Sequence, residues 1–327
     1  MRKQPLLEVQ DLKMYFPLRR GFFGGKISYV KAVDGVSFSI EKGETLGIVG
    51  ESGCGKTTVG FTILKLYKPT GGKIIYDGIE THKLSAAEMF PFRKRMQMIF
   101  QDPYSSLNPR MTVGDIIMEP MIIHNLFGSA KGRVVYAREL LQKVGLKQEH
   151  FDRYPHEFSG GQRQRVGIAR ALAMGPEFIV CDEPISALDV SIQAQVVNIL
   201  ENLQKELGLT YLFISHDLTM VRHISHKVGV MYLGNLVEYA DTDELYENLQ
   251  HPYTKALLSS VPVIEDAFTP KADLVALQGD VPSPINPPDG CVFSTRCPRA
   301  YEECSVSRPQ LKDIGGGHLV ACHLITR

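Results

Sequence analysis

Gly50-Glu51-Ser52-Gly53-Cys54-Gly55-Lys56-Thr57 decides the fold. The stretch fits G-x-x-x-x-G-K-[ST]. A short apolar run at 44–49 (ETLGIV) feeds it and a helical stretch at 58–66 leaves it. Strand, loop and helix in that order are the context a phosphate-binding loop requires. Glycines let the backbone turn its N–H groups inward around phosphate oxygens. The helix start adds the positive end of its dipole. Lys56 is expected to reach the β- and γ-phosphates and the Thr57 hydroxyl to hold Mg²⁺. Cys54 reads as a small loop residue rather than a reactive thiol.

Outward from the loop, residues 6–16 and 33–40 alternate as half-buried strands do, with a loop expected at 17–25. A hairpin-like piece follows at 73–79. From about 86 to 176 the pattern is helical, with Pro and Gly punctuation. Three more apolar runs come next, at 178–181, 211–215 and 227–233. Between the first two, Ile192, Val196, Ile199, Leu200, Leu203 and Leu207 recur at helical spacing. Strands alternating with helices predict an α/β core with a parallel sheet. Six prolines fall within 261–290, marking an irregular stretch after a boundary near residue 250. The basic runs Arg19-Arg20 and Arg93-Lys94-Arg95 read as solvated surface.

The 327 residues carry 36 Lys+Arg against 36 Asp+Glu, a neutral balance that gives no support to a phosphate-contacting nucleic-acid binder. With 44% hydrophobic and 22% charged residues, the composition is that of a folded globular chain. The first residues show no apolar secretory segment, and no run is long enough to span a bilayer. The cytoplasm, where thiols stay reduced, is the expected compartment. Six cysteines are placed unevenly: Cys54 and Cys181 stand apart, while Cys291, Cys297, Cys304 and Cys322 crowd the last 37 residues.

The run 178–181 ends in Asp182-Glu183. At a strand's C-terminal end Asp182 is placed to hold Mg²⁺ through water, and Glu183 is then free to act on an attacking water. Cys181 reads as a buried strand residue.

Five more pieces, in order, make the chain resemble the ATP-binding subunit of an ABC transporter. Phe158-Ser159-Gly160-Gly161-Gln162 looks like the signature motif. Gln101 looks like the Q-loop glutamine, Ser186-Ala187-Leu188-Asp189 like the D-loop, and His216 like the switch histidine. Phe16 fits best as the aromatic that stacks on adenine, with Tyr15 second. The resemblance covers about residues 6–245. It implies a P-loop NTPase cassette of the ABC type: parallel-sheet core, antiparallel β subdomain and helical subdomain at about 88–176, within a nucleotide-binding domain of 1–250. It implies an ATP site built on Phe16, Gly50, Ser52, Gly53, Cys54, Gly55, Lys56, Thr57, Thr58, Gln101 and His216, with Mg²⁺ held through Thr57, Gln101 and Asp182. Glu183, His216, Lys56 and Gln101 would carry hydrolysis. Ser159, Gly160, Gly161 and Gln162 would complete the site of an opposing subunit.

Residues 153–165, the stretch His251-Pro252-Tyr253-Thr254-Lys255-Ala256-Leu257-Leu258 and the tail from Pro284 to Cys322 are similar to the dipeptide/oligopeptide/nickel importer branch. They look closest to the second of its two ATPase subunits. The resemblance implies a peripheral protein on the cytoplasmic face of the inner membrane. Its partners would be a second ATPase subunit, two transmembrane permeases and an extracytoplasmic binding protein. A heterodimer is expected and a homodimer stays open; peptides are favoured as cargo and a nickel chelate stays open. A soluble ABC-type ATPase of translation or repair is the alternative, although such chains usually carry two cassettes or a coiled-coil insertion.

The four cysteines at 251–327 are spaced C-x5-C-x6-C-x17-C. Four thiolates can bind Zn²⁺ or a [4Fe–4S] cluster. Extensions of this branch carry a [4Fe–4S] cluster, so the resemblance implies one here; zinc, free thiols and a disulfide are the alternatives. His318 and His323 read as surface or packing residues.

Overall fold

A computed structural model describes residues 4–19, 27–259 and 279–325. The chain divides into two compact units. One comprises Met1–Ile40, Leu46–His82 and His216–Arg327, the other Glu41–Thr45 and Lys83–Ser215.

In the first unit, strands Leu7–Arg19, Ile27–Ile40, Gly71–Tyr76 and Ile79–Glu80 form an antiparallel sheet in the order second, first, third, fourth. The first two run longer than the alternation predicts, because Pro17, Leu18 and Arg19 continue the ladder opposite Tyr29, Ser28 and Ile27. Proline is tolerated there because its missing N–H costs nothing where no partner needs it. The side chain of Arg19 and all of Arg20 lie outside the described residues, as do Pro262 and Pro270 of the proline-rich stretch.

The fully buried strand Thr45–Val49 runs parallel to Lys227–Tyr232, with Leu46 opposite Lys227 and Val49 opposite Val230. That second strand turns back antiparallel into Asn235–Asp241. Leu319–Val320 of the C-terminal tail then pairs with Tyr239 and Glu238, so the tail is sewn to the cassette by backbone hydrogen bonds. His318 is buried beside this seam, with its ring nitrogens 2.8 Å from Glu238 and 3.0 Å from Glu244.

In the second unit, Met96–Ile99, Phe178–Asp182 and Thr210–Ile214 are neighbouring parallel strands. The first lies inside the stretch read as helical, where four residues flanked by basic and glutamine side chains give no β period of their own. The helices Val113–Ile123, Ala130–Lys143 and Gly160–Leu172 pack on one another. In the helix Val190–Leu207, Val196, Val197, Leu200 and Leu203 are buried, while Leu207 is exposed. Arg95 is not merely solvated: its guanidinium pairs twice with Glu177, both at 2.9 Å. Among the described residues no helix is long and apolar enough to cross a membrane.

Candidate nucleotide site

The phosphate loop leaves the buried strand Thr45–Val49 and enters the helix Lys56–Ile63 through Gly55. Gly55 has φ 104°, and a Cβ on it would meet the Ala32 carbonyl oxygen at 2.0 Å, so no side chain fits. The cap residue, a glycine, contributes no side-chain hydrogen bond, and the positive end of the helix dipole faces the loop. Lys56 is only 4% exposed. Its Nζ donates to the carbonyls of Gly50 at 2.7 Å and Glu51 at 3.1 Å, so the loop's own backbone aims it. Cys54 is buried beside it, and burial holds the thiol above its ordinary pKa. A neutral, buried thiol is a packing residue of the loop.

At the edge of the antiparallel sheet the two aromatic candidates differ. The Tyr15 hydroxyl is tied to Asp34, and Lys31 stands 5.8 Å from its ring centre. Phe16 has no polar tether and meets the edge of Tyr67 at 5.2 Å. His216 is exposed, directly before Asp217, whose carboxylate accepts from the N–H groups of Thr219 and Met220 and so caps the helix Leu218–Ile224.

The second unit holds the carboxylates. Asp182 is the last residue of the strand Phe178–Asp182 and is 3% exposed. Glu183 follows with φ 44°, a left-handed conformation that a non-glycine residue adopts at a cost of about 1–3 kcal/mol. Its N–H is locked to the Ile214 carbonyl at 2.9 Å, and its carboxylate accepts from the Gln101 amide at 2.9 Å. Cys181, just before, is fully buried and its thiol is pushed up strongly by burial.

Ser159 caps the helix Gly160–Leu172 in a reciprocal box: its hydroxyl accepts from Gln162 N–H at 3.4 Å, and Gln162 Oε1 accepts from Ser159 N–H at 3.0 Å. Gly161 admits close packing, since a Cβ there would meet Ile192 at 2.4 Å. Ser159, Gly161 and Gln162 line a cavity of about 340 Å³ with Lys147, His150 and Arg165. Two cations beside a helix start make this recess suited to an anion. The same helix reaches the segment after Gln101: Arg163 lies 4.8 Å from the Tyr104 ring centre, and Arg170 donates to the Ser106 carbonyl at 2.5 Å. Asp189 begins the helix Val190–Leu207 and is exposed.

The cysteines of the tail are free, with Cys291, Cys304 and Cys322 buried and Cys297 partly so. The Cys291 N–H donates to the Cys304 carbonyl at 2.8 Å. Burial, added to by the nearby thiols of Cys304, Cys322 and Cys297, pushes Cys291 up to about 11. Burial and the thiols of Cys322 and Cys304 likewise raise Cys297. The four sulfurs therefore share one neighbourhood. Among the described residues, however, no three His, Cys, Asp or Glu side chains are gathered closely enough to hold a single metal ion. Spacing alone could not decide this, since it says nothing of how closely the thiols converge.

Sequence reasoning did not single out Glu51, Arg296 or Tyr232, because their roles rest on contacts between segments far apart in the chain.

Fold and site together define an ATPase of the ATP-binding cassette class. The ABC transporter family profile matches residues 33–186, and the C-terminal region of oligopeptide/dipeptide transporters matches residues 237–304. The chain is 57% identical over 323 residues to the oligopeptide transport ATP-binding protein AppF of Bacillus subtilis (strain 168), covering 98% of each. It is 49% identical over 323 residues to the dipeptide transport ATP-binding protein DppF of Escherichia coli (strain K12), covering 99% of this chain and 95% of that one. Among solved structures it is similar to the dimeric ATP-binding cassette MJ0796 bound to ADP and Pi: TM-score 0.64 and 30% identity, over 72% of this chain and 98% of that one. The chain belongs to the ABC transporter family, in its branch of oligopeptide and dipeptide ATP-binding subunits.

Proposed function

We propose that this chain binds and hydrolyses ATP to power import of di- or oligopeptides through membrane permeases. The observation that carries the reading is full-length kinship joined to an aimed Lys56 in a loop that admits no side chain at Gly55. Lys56 takes the β- and γ-phosphates, Gly50, Ser52, Gly53 and Gly55 lend backbone N–H groups, and Thr58 extends the helix start. Phe16 is the adenine platform, because Tyr15 is already committed to Asp34.

Thr57, Asp182 and Gln101 supply hydroxyl, carboxylate and amide oxygens, a donor set that suits Mg²⁺. The ion, when bound, neutralises charge on the phosphates. Glu183 orients and deprotonates the attacking water. Its fixed backbone and the bond from Gln101 hold the carboxylate still. His216 contacts the γ-phosphate, and Asp189 lies in the turn that faces an opposing subunit.

Ser159, Gly160, Gly161 and Gln162 complete the ATP site of a second ATPase subunit, a different chain in a heterodimer. The recess with Lys147 and Arg165 supports that reading. Two permeases dock on the helical part, where Ile122 and Ile123 are 56% and 63% exposed and Phe90 stacks on His124 at 4.2 Å. An extracytoplasmic binding protein delivers the peptide. The protein works peripherally on the cytoplasmic face of the inner membrane.

Residues 1–250 form the nucleotide-binding domain and 251–327 the extension that marks the branch. Its four cysteines are candidate ligands of a [4Fe–4S] cluster, with zinc as the alternative. What supports the reading is the branch resemblance together with four free cysteines in the tail, Cys291, Cys304 and Cys322 buried and Cys297 partly so. Cys291, Cys297, Cys304 and Cys322 would hold the cluster, and its contribution would be to tie the tail together.

Reconstituting the assembled transporter and following ATP hydrolysis with peptide uptake tests the main reading. Full hydrolysis by the Glu183→Gln complex would sink the assignment of the base. Anaerobic purification with iron and sulfide analysis tests the cluster: one equivalent of zinc without iron overturns it.

A further inference from the structure

The C-terminal extension reaches the phosphate loop through one residue. Arg296 lies just before Cys297, and its guanidinium grips the carboxylate of Glu51, the second residue of the loop. Nη1 donates to Oε2 at 2.8 Å and Nη2 to Oε1 at 3.2 Å. This is the planar fork that pairs best with a carboxylate. The side chains are 7% and 24% exposed, so the pair is largely shielded from water. Nη1 also donates to the Tyr232 hydroxyl at 3.4 Å, and the guanidinium carbon stands 5.8 Å from that ring's centre.

Glu51 is held from a second side. Its N–H donates to the Tyr253 hydroxyl at 2.9 Å. Tyr253 packs against Tyr232 at 4.7 Å and Phe293 at 5.4 Å, which joins the extension to the strand Lys227–Tyr232 beneath the loop. The remaining polar group of Glu51, its carbonyl, accepts from Lys56 Nζ at 3.1 Å. The peptide that aims the phosphate-binding lysine is therefore fixed by residues outside the loop. Charge adds a second reason for the fork. An uncompensated carboxylate in a loop built for phosphate would repel its ligand, and Arg296 cancels it.

We propose that Arg296 is a positioning residue of the nucleotide site: it fixes the Glu51 peptide that aims Lys56 and neutralises the Glu51 carboxylate, which makes the C-terminal extension part of the ATP-binding apparatus. The proposal rests on the ATP-binding role of the loop.

A fluorescent ATP analogue with Mg²⁺, titrated onto the full chain, reads it out, with the melting temperature of the nucleotide-free chain measured alongside. Arg296→Met leaves Glu51 charged and unpaired and weakens binding about tenfold, the scale of one lost charge-assisted hydrogen-bond pair. Arg296→Lys keeps the charge without the fork and loses about threefold on the same scale. Adding Glu51→Gln to Arg296→Met removes the repulsion and restores affinity to within about threefold of wild type. A merely structural contact gives a different pattern: a lower melting temperature, unchanged affinity in the folded fraction and no rescue.

Wild-type affinity in Arg296→Met, or a double variant as weak as Arg296→Met, overturns the proposal. If Arg296→Met does not fold, Arg296→Gln takes its place in the same comparison. Lys56→Ala weakens binding by about 100-fold in every background. A wild-type chain that binds no analogue overturns the role of the loop, and the clamp with it.

Discussion

The phosphate loop and the signature turn are both glycine-bearing starts of helices, yet they are finished differently. The helix Lys56–Ile63 has no side-chain cap, and its loop is braced by the Tyr253 hydroxyl and the Arg296 guanidinium. The helix Gly160–Leu172 is closed by its own Ser159–Gln162 box. One turn is finished by side chains from outside it. The other is finished by its own residues, through the reciprocal bonds of Ser159 and Gln162.

The largest expected effect lies with the carboxylates. Glu183→Gln keeps the side chain's size and removes the base, so hydrolysis falls by about 10²–10⁴-fold. Nucleotide affinity stays, and a steady-state phosphate assay beside a binding titration shows the split. Lys56→Ala removes a charge-assisted contact to two phosphates and weakens nucleotide binding by about 100-fold, measured on the full chain.

Ser159→Ala tests the other turn. Losing the cap costs about 1 kcal/mol of helix stability. Hydrolysis in the assembled complex falls, while nucleotide affinity of the lone chain holds. Equal losses in both assays would erase the distinction between the turns.

The smallest effect is a pH dependence beneath the braced loop. Burial pushes His251 down to about 3, and its Nδ1 accepts from the Tyr253 N–H at 3.1 Å, so the folded ring is neutral. Above about 6.5 both folded and unfolded chains hold it neutral, and its effect on stability vanishes. As pH falls from there toward 3, the unfolded chain takes up a proton that the folded chain refuses. Stability drops with a slope of up to about 1.4 kcal/mol per pH unit from this group. Urea midpoints at pH 7.5 and 5.5 check this, and His251→Asn flattens the change.

Much of the site was legible in the residues. The order of strand, Gly50 to Thr57 and helix carried the phosphate loop, because local glycines and the capping pattern act over a few residues. Asp182 and Glu183 were legible as the end of an apolar run, and the buried strand Phe178–Asp182 bears out that reading of the run. The strand Met96–Ile99 was not legible, since its place is set by its parallel neighbour Phe178–Asp182. Leu207 fits the helical period yet is exposed, because periodicity names a face but not what covers its ends.

By itself, the sequence determined the class of chemistry: a lysine and a hydroxyl at a glycine turn, acids at a strand end, and four crowded cysteines. These are local patterns, and local physics reads them. Tertiary structure decided that Glu183 takes a left-handed backbone, that Tyr15 is spent on Asp34, that the tail's strand joins the cassette, and that Arg296 meets Glu51 across 245 residues of chain. Each depends on two distant segments arriving at one place, and no spacing along the chain encodes a distance in space.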